Sequence, residues 1–276
     1  ELFSIFPVTD QNAFAHKKYC LPFSEANLTD ANKEYLQKYL DVTKSQMFFA
    51  KGIIFVEGIS EAILLPEIAK ILDRPLEKYA VELVNVDSVA FSPFVNLFSS
   101  QNVQTCFSKV AIVTDDDRCT KKSETNYINK DFDYDDVNSD ISGKLLSGTP
   151  SERCNELETS CRAVGINVFK ATKTLEYALC CDENNIEYFI EAIKSEYSQL
   201  GPALEQKVNS LHDMNEKAAC VWLFIRAREK CKGAIAQYIS QIIKKQCEMR
   251  KRGENIEKEF VIPDYLKEAV YCVTER

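Results

Sequence analysis

The chain has 276 residues, 45% of them hydrophobic, enough to bury a sizeable core as one large domain or two modest ones. Its formal charge of −8 argues against a passive nucleic-acid sleeve, because phosphate binding is driven by lysine and arginine displacing counterions. No apolar run approaches the roughly 18 residues of a membrane helix, and the start ELFSIFPVTDQ lacks the basic and apolar stretches of a signal peptide. A cytoplasmic location without a membrane partner is therefore expected.

Residues 1–50 are expected to form a helical or linker segment, since EYLQKYLDVTKSQMFF carries a helical period. From Gly52, the run Ile53, Ile54, Phe55, Val56 is short, β-branched or aromatic, and bounded by glycines, which reads as a strand buried on both faces. A helix follows, with Leu65, Ile68, Ala69 and Leu72 on one stripe, Ser60 placed to cap it, and Pro66 straining it unless close to the first turn. VELVNV at 81–86 and KVAIVT at 109–114 are two further strands. Apolar strands separated by helix-length connections predict an α/β fold, a mostly parallel sheet flanked by helices.

After Asp117 the sequence turns polar and loses its period, so about 119–150 is expected to be a loop insertion, mobile or partly disordered. A helix from near Ser151 leads to a short strand at Ile166–Lys170. The α/β core is thus placed at 51–182, and 183–276 is expected to be a helical C-terminal portion. Its best stripe is Ile235, Tyr238, Ile239, Ile242 and Ile243.

Eleven cysteines form no zinc pattern: Cys154 with Cys161 and Cys180 with Cys181 lack paired CxxC spacing. Cys106, Cys180, Cys220 and Cys272 sit in apolar surroundings and read as small hydrophobes. His16 and His212 are isolated and read as structural or exposed, and Trp222 reads as helix core. Between Arg226 and Arg252 nine cations face only Glu229 and Glu248, a pattern that a solvated helix face explains as well as a phosphate track does.

Two acidic groups stand at the C-terminal ends of predicted parallel strands, where open α/β sheets form their crevices. Glu57 ends the first strand, with Glu61 in the next helical turn; Asp115, Asp116 and Asp117 end the strand VAIVT. Carboxylates crowded at adjacent strand ends repel unless a cation neutralises them, which suits a hard metal such as Mg²⁺ or Mn²⁺. A second ion within about 4 Å would clamp both the attacking and leaving oxygens of a phosphate. Alternation along an extended strand end selects Asp115 and Asp117 as ligands and leaves Asp116 in a supporting or solvent role. Taken singly, Glu57 is equally an ordinary strand-end residue, and the aspartates equally a helix cap or turn.

The glutamate after one strand and the Asp-x-Asp after a later one resemble the Toprim pattern, matched here by Glu57 and by Asp115 with Asp117. Within Toprim proteins the chain is similar to the OLD nucleases, a group that includes the Gabija nuclease of phage defence. The likeness is carried by YLDVTKSQMFFAKGIIFVEGISE, VAFSPFVNLF, KTLEYAL, KCKGAIAQYIS and, more weakly, IPDYLKEAV, and runs from Tyr39 to Val270 apart from the insertion. It implies an Mg²⁺-dependent DNA endonuclease with two ions held by Glu57, Glu61, Asp115, Asp117 and Glu176. Glu57 would also help manage the proton of the attacking water, and Lys232 would stabilise the phosphate or protonate the leaving oxygen. Arg118, Lys173 and Lys230 are the cations expected to meet DNA.

The resemblance further implies an ABC-type ATPase domain or subunit as partner, and a homodimer or higher oligomer. No G-x-x-x-x-G-K-[ST] occurs in the sequence, and GKLL at Gly143 fails after its lysine, so the ATPase is expected elsewhere. Two other readings stay open. A haloacid-dehalogenase-like phosphatase would use Asp115 and Asp117 as nucleophile and acid, and a catalytically silent Toprim scaffold would serve only to pair with an ATPase.

Overall fold

The computed structural model describes residues 3–8, 17–22, 28–39, 44–98 and 109–275. It opens on an antiparallel pair, β1 (Phe3–Val8) and β2 (Lys17–Pro22), followed by helix α1 (Asp30–Tyr39) and a 3₁₀ turn at Lys44–Phe49. The helical period expected across 34–49 thus appears as two pieces, with residues 40–43 outside those described. The hairpin before them was not expected.

The central sheet contains β3 (Gly52–Val56), β4 (Val81–Asn85), β5 (Val110–Asp115) and β6 (Asn167–Ala171), all parallel in the order β4-β3-β5-β6. Every residue of β3 is buried because both faces of the sheet are covered. Its side chains alternate accordingly: Ile54 and Val56 enter the larger core, Ile53 and Phe55 the smaller one. The chain leaves β3 toward one edge to make β4, then crosses back to place β5 on the other side. The switch point of the sheet therefore falls between β3 and β5, which opens a crevice beyond their C-terminal ends.

The smaller core holds α1, α3 (Ser92–Phe98) and α5 (Glu152–Ala163), through Leu36, Phe94, Phe98 and Cys161. The larger core holds α2 (Ile59–Ile71) and the helical C-terminal portion. Beside α6 (Leu175–Cys180), which closes the α/β segment, that portion comprises α7 (Glu183–Glu196), α8 (Leu200–Ser210), α9 (Met214–Arg226), α10 (Lys232–Arg252) and α11 (Asp264–Thr274). Helix α10 lies along α2 with Ile235, Ile239 and Ile243 inward, the stripe its sequence predicts. Helix α11 crosses β3, β5 and β6. Its approach is close enough that a Cβ at Gly52 would lie 3.0 Å from the Val273 carbonyl oxygen.

Three local expectations are corrected. The insertion is folded: it holds a 3₁₀ turn at Tyr134–Asp136 and helix α4 (Ser139–Ser147), and it buries Ile128, Tyr134, Val137, Ile141 and Leu145. Those five residues join the larger core while Leu146 stays exposed, and Arg226 of α9 donates to the carbonyls of Asn129 and Phe132. Gly58, not Ser60, is the N-cap of α2, and no side chain caps that helix. Pro66 lies in mid-helix, and α2 runs through it. The described cysteines are free thiols, with Cys180 and Cys220 fully buried and Cys272 half-buried; Cys106 and His16 lie outside the described residues. Among the described residues, no helix is long and apolar enough to cross a membrane.

Candidate metal centre

The site is assembled where β3 and β5 end side by side. Glu57 follows the last residue of β3, and its carboxylate accepts a hydrogen bond from the Thr114 hydroxyl of β5 at 2.6 Å. Asp115 closes β5, and its Oδ1 accepts from the backbone N–H of Leu175 at 2.8 Å, the first residue of α6. Thr174 caps that helix by accepting from the Tyr177 N–H, which fixes Glu176 in the first turn. Glu176 is buried, the Ser60 hydroxyl donates to it at 3.4 Å, and the Lys232 ammonium at the start of α10 lies 3.7 Å away. With Glu61, buried in the first turn of α2, these residues line a cavity of about 200 Å³.

Four carboxylates thus face one ammonium across a small space. Burial, then the charges of Glu176 and Glu57, push Glu61 up to about 7. Burial, then Glu61, Glu176 and Glu57, likewise hold Asp115 well above the usual carboxylate range. Burial pulls the Lys232 ammonium down, but Glu176, Asp115 and Glu61 outweigh it and hold the group above its ordinary value. A further group, absent from the sequence reading, faces the same acids: the Tyr265 hydroxyl of α11 is enclosed without a hydrogen-bond partner. Burial, then Asp115, Glu61 and Glu176, raise that phenol well above its ordinary value.

The donor chemistry fits a hard divalent cation: all candidate ligands are carboxylate oxygens, and their mutual repulsion is what a cation would relieve. As the side chains stand, no group of three or more His, Cys, Asp or Glu residues among those described is gathered tightly enough to hold an ion.

Residues 48–117 match a family model described as "Overcoming lysogenization defect protein-like, TOPRIM domain". This stretch is similar to the Toprim domain of OLD-like proteins. The whole chain is similar in structure to the C-terminal region of the Xanthomonas campestris pv. campestris OLD protein in its iodine-phased structure, at 20% identity and a TM-score of 0.50, over 83% of this chain and 96% of that one. It is also similar to the C-terminal region of the Burkholderia pseudomallei OLD protein, at 20% identity and a TM-score of 0.47, over 82% of this chain and 97% of that one. Likeness at that identity concerns the fold. No curated protein matches the sequence.

The matched Toprim stretch contains Glu57, Glu61, Asp115 and Asp117; Glu176 and Lys232 lie beyond it, brought in by α6 and α10. Asp117 does not line the cavity with the others. The alternation that aligns it with Asp115 holds only in an extended strand, and β5 ends at Asp115, while Asp117 adopts a left-handed φ of 52°. Its carboxylate accepts instead from Arg153 of α5 at 2.8 Å.

Asp116, 2% exposed, is a support: it accepts from the backbone N–H groups of Arg118 and Lys173 and from the Arg118 guanidinium. Two of the three cations expected at DNA are consequently turned inward. Arg118 is held by Asp116 and the Leu145 carbonyl, and Lys173 is buried, donating to the Arg118 carbonyl and lying 5.3 Å over the Trp222 ring. Lys230 is exposed, as is His212. Trp222 is core, as its sequence suggests. Within the basic stretch, Arg226 and Arg228 hold the insertion and Arg250 pairs with Glu259, so the inner part of the stretch serves structure.

Sequence reasoning missed Arg153, Thr114, Tyr265 and the tie from Ser60 to Glu176. Thr114 sits inside the strand-end run that drew attention to the aspartates, and Tyr265 inside IPDYLKEAV. Arg153 carries no local signal; it reads as one more charge on a solvated helix.

Proposed function

We propose that this chain hydrolyses DNA phosphodiesters in an Mg²⁺- or Mn²⁺-dependent reaction, as the nuclease region of an assembly completed by an ABC-type ATPase domain or subunit. The observation that carries this reading is the meeting of Glu57, Glu61, Asp115, Glu176 and Lys232 around one cavity at the switch point of a Toprim sheet. The bound cation would supply Lewis-acid polarisation of the phosphate and a more acidic attacking water. Glu61, Asp115 and Glu176 would bind it, and Glu57, more exposed than Glu61 and Glu176, would take the proton of the attacking water. The Lys232 side chain, 34% exposed, lines the cavity, where its ammonium would stabilise charge that grows on the phosphate oxygens or protonate the leaving oxygen. Lys230, exposed two residues earlier, would meet the phosphate backbone outside.

The phosphatase reading asks Asp115 and Asp117 to work on one substrate atom, and it loses support from Asp117 being held by Arg153 outside the cavity. The decisive assay is relaxation or linearisation of supercoiled plasmid with Mg²⁺ or Mn²⁺. We expect nicked or linear product that Asp115→Ala and Glu57→Ala abolish, and a loss of about 10²-fold in Lys232→Met. Turnover of a small phosphomonoester without DNA cleavage would overturn the proposal in favour of a phosphatase. Inactivity on both, even with the ATPase supplied, would leave the silent scaffold.

A further inference from the structure

We infer that Arg153 is the resident second cation of the acidic site, standing where a second divalent ion would have to sit, so that the chain binds one ion and not two. Its Nη2 lies 2.8 Å from Asp117 Oδ2, 3.1 Å from the Asp115 carbonyl oxygen and 3.8 Å from Glu57 Oε2. One nitrogen thus occupies a cage of three oxygens drawn from both strand ends. Those are oxygens that a second ion bridging Glu57 and Asp117 would need for itself.

The guanidinium is held there by its helix and by charge. Arg153 is the second residue of α5, whose start is fixed to the aspartate run by a hydrogen bond from the Ser151 N–H to the Asp116 carbonyl at 2.8 Å. Its neighbour Cys154 is fully buried, so the side chain springs from an anchored turn. Nη1 is enclosed without an acceptor, so the contacts of the guanidinium with the acids run through Nη2. A guanidinium keeps its charge across the working pH range, so this cation does not leave by deprotonation.

The acids then divide between two positive groups. Glu57 and Asp117 face Arg153; Glu61, Asp115 and Glu176 face Lys232 across the open cavity. The second set keeps the larger number of carboxylates and the free volume, and one divalent ion belongs there.

This inference rests on the cavity being a divalent-cation site, and the test separates the two. Mn²⁺ is titrated into the full chain without DNA and followed by electron paramagnetic resonance and calorimetry. Wild type should take up one equivalent, with no Mn–Mn dipolar broadening at saturation. Arg153→Gln and Arg153→Met, the latter keeping the aliphatic stem packed, should take up a second equivalent, while Arg153→Lys stays at one. Two coupled ions in wild type would overturn the inference with no variant required, as would a single equivalent in folded Arg153→Gln and Arg153→Met. Absence of Mn²⁺ binding in wild type would overturn the cavity reading itself and this inference with it.

Discussion

Glu61 shows what the site costs before any ion arrives. Its carboxyl, ordinarily near 4.5, is pushed up to about 7, so the folded chain keeps a proton that the unfolded chain has released. Between those values the unfolded state binds fewer protons, and stability falls as pH rises until it levels above about 7. In the cation-free protein, the urea midpoint should therefore drop across this window, and Glu61→Gln should remove that part of the slope. An identical pH profile in the variant would show that Glu61 is not the buried acid. Glu57 and Asp115 are legible in the sequence because each ends a continuous apolar run. Asp117 was misplaced beside them because strand alternation was extended one turn past the strand. Tyr265 and Arg153 could not have been found locally, since each reaches the acids from a helix whose docking only the tertiary fold supplies.

At the scale of elements, the buried strands announce themselves because both faces of the sheet are covered, leaving no polar alternation to confuse the reading. The insertion conceals its structure for the opposite reason. Its apolar residues are sparse, and polar ties to α9 and to Arg228 just beyond it add to their packing. The Arg228 guanidinium forks onto both oxygens of Asp133 at 2.8 Å and lies 4.0 Å over the Phe224 ring. The pair is partly exposed, so its contribution is modest, about 1–2 kcal/mol with solvent screening allowed for. Arg228→Ala should speed tryptic cleavage at Lys121, Lys122 or Lys130 while leaving the sheet intact by circular dichroism. Unchanged proteolysis would mean that Tyr134, Ile141 and Leu145 hold the insertion by packing alone.

Across the whole molecule, the cavity draws on segments from Glu57 to Lys232, brought together by the crossover at the middle of the sheet and by the packing of α10 along α2. An ion bound there ties those segments together, so binding should appear as global stability. Ca²⁺ at about 100 times its dissociation constant should add roughly 2.7 kcal/mol and raise the melting temperature by about 5–10 °C, both lost in Asp115→Asn. A melt unaffected by Ca²⁺ in wild type would count against the site. The fold class was readable in the sequence because strand and helix periods are local, whereas the cavity's full lining was not, since it depends on docking between distant helices. Helix α11 carries the sharpest consequence. It seals β3, β5 and β6 and brings the Tyr265 hydroxyl toward the acids, yet it is made only after all of them. In a nascent chain every acid of the cavity is therefore synthesised before the helix that covers those strands, so the sheet beneath the cavity is completed only once synthesis has passed Thr274.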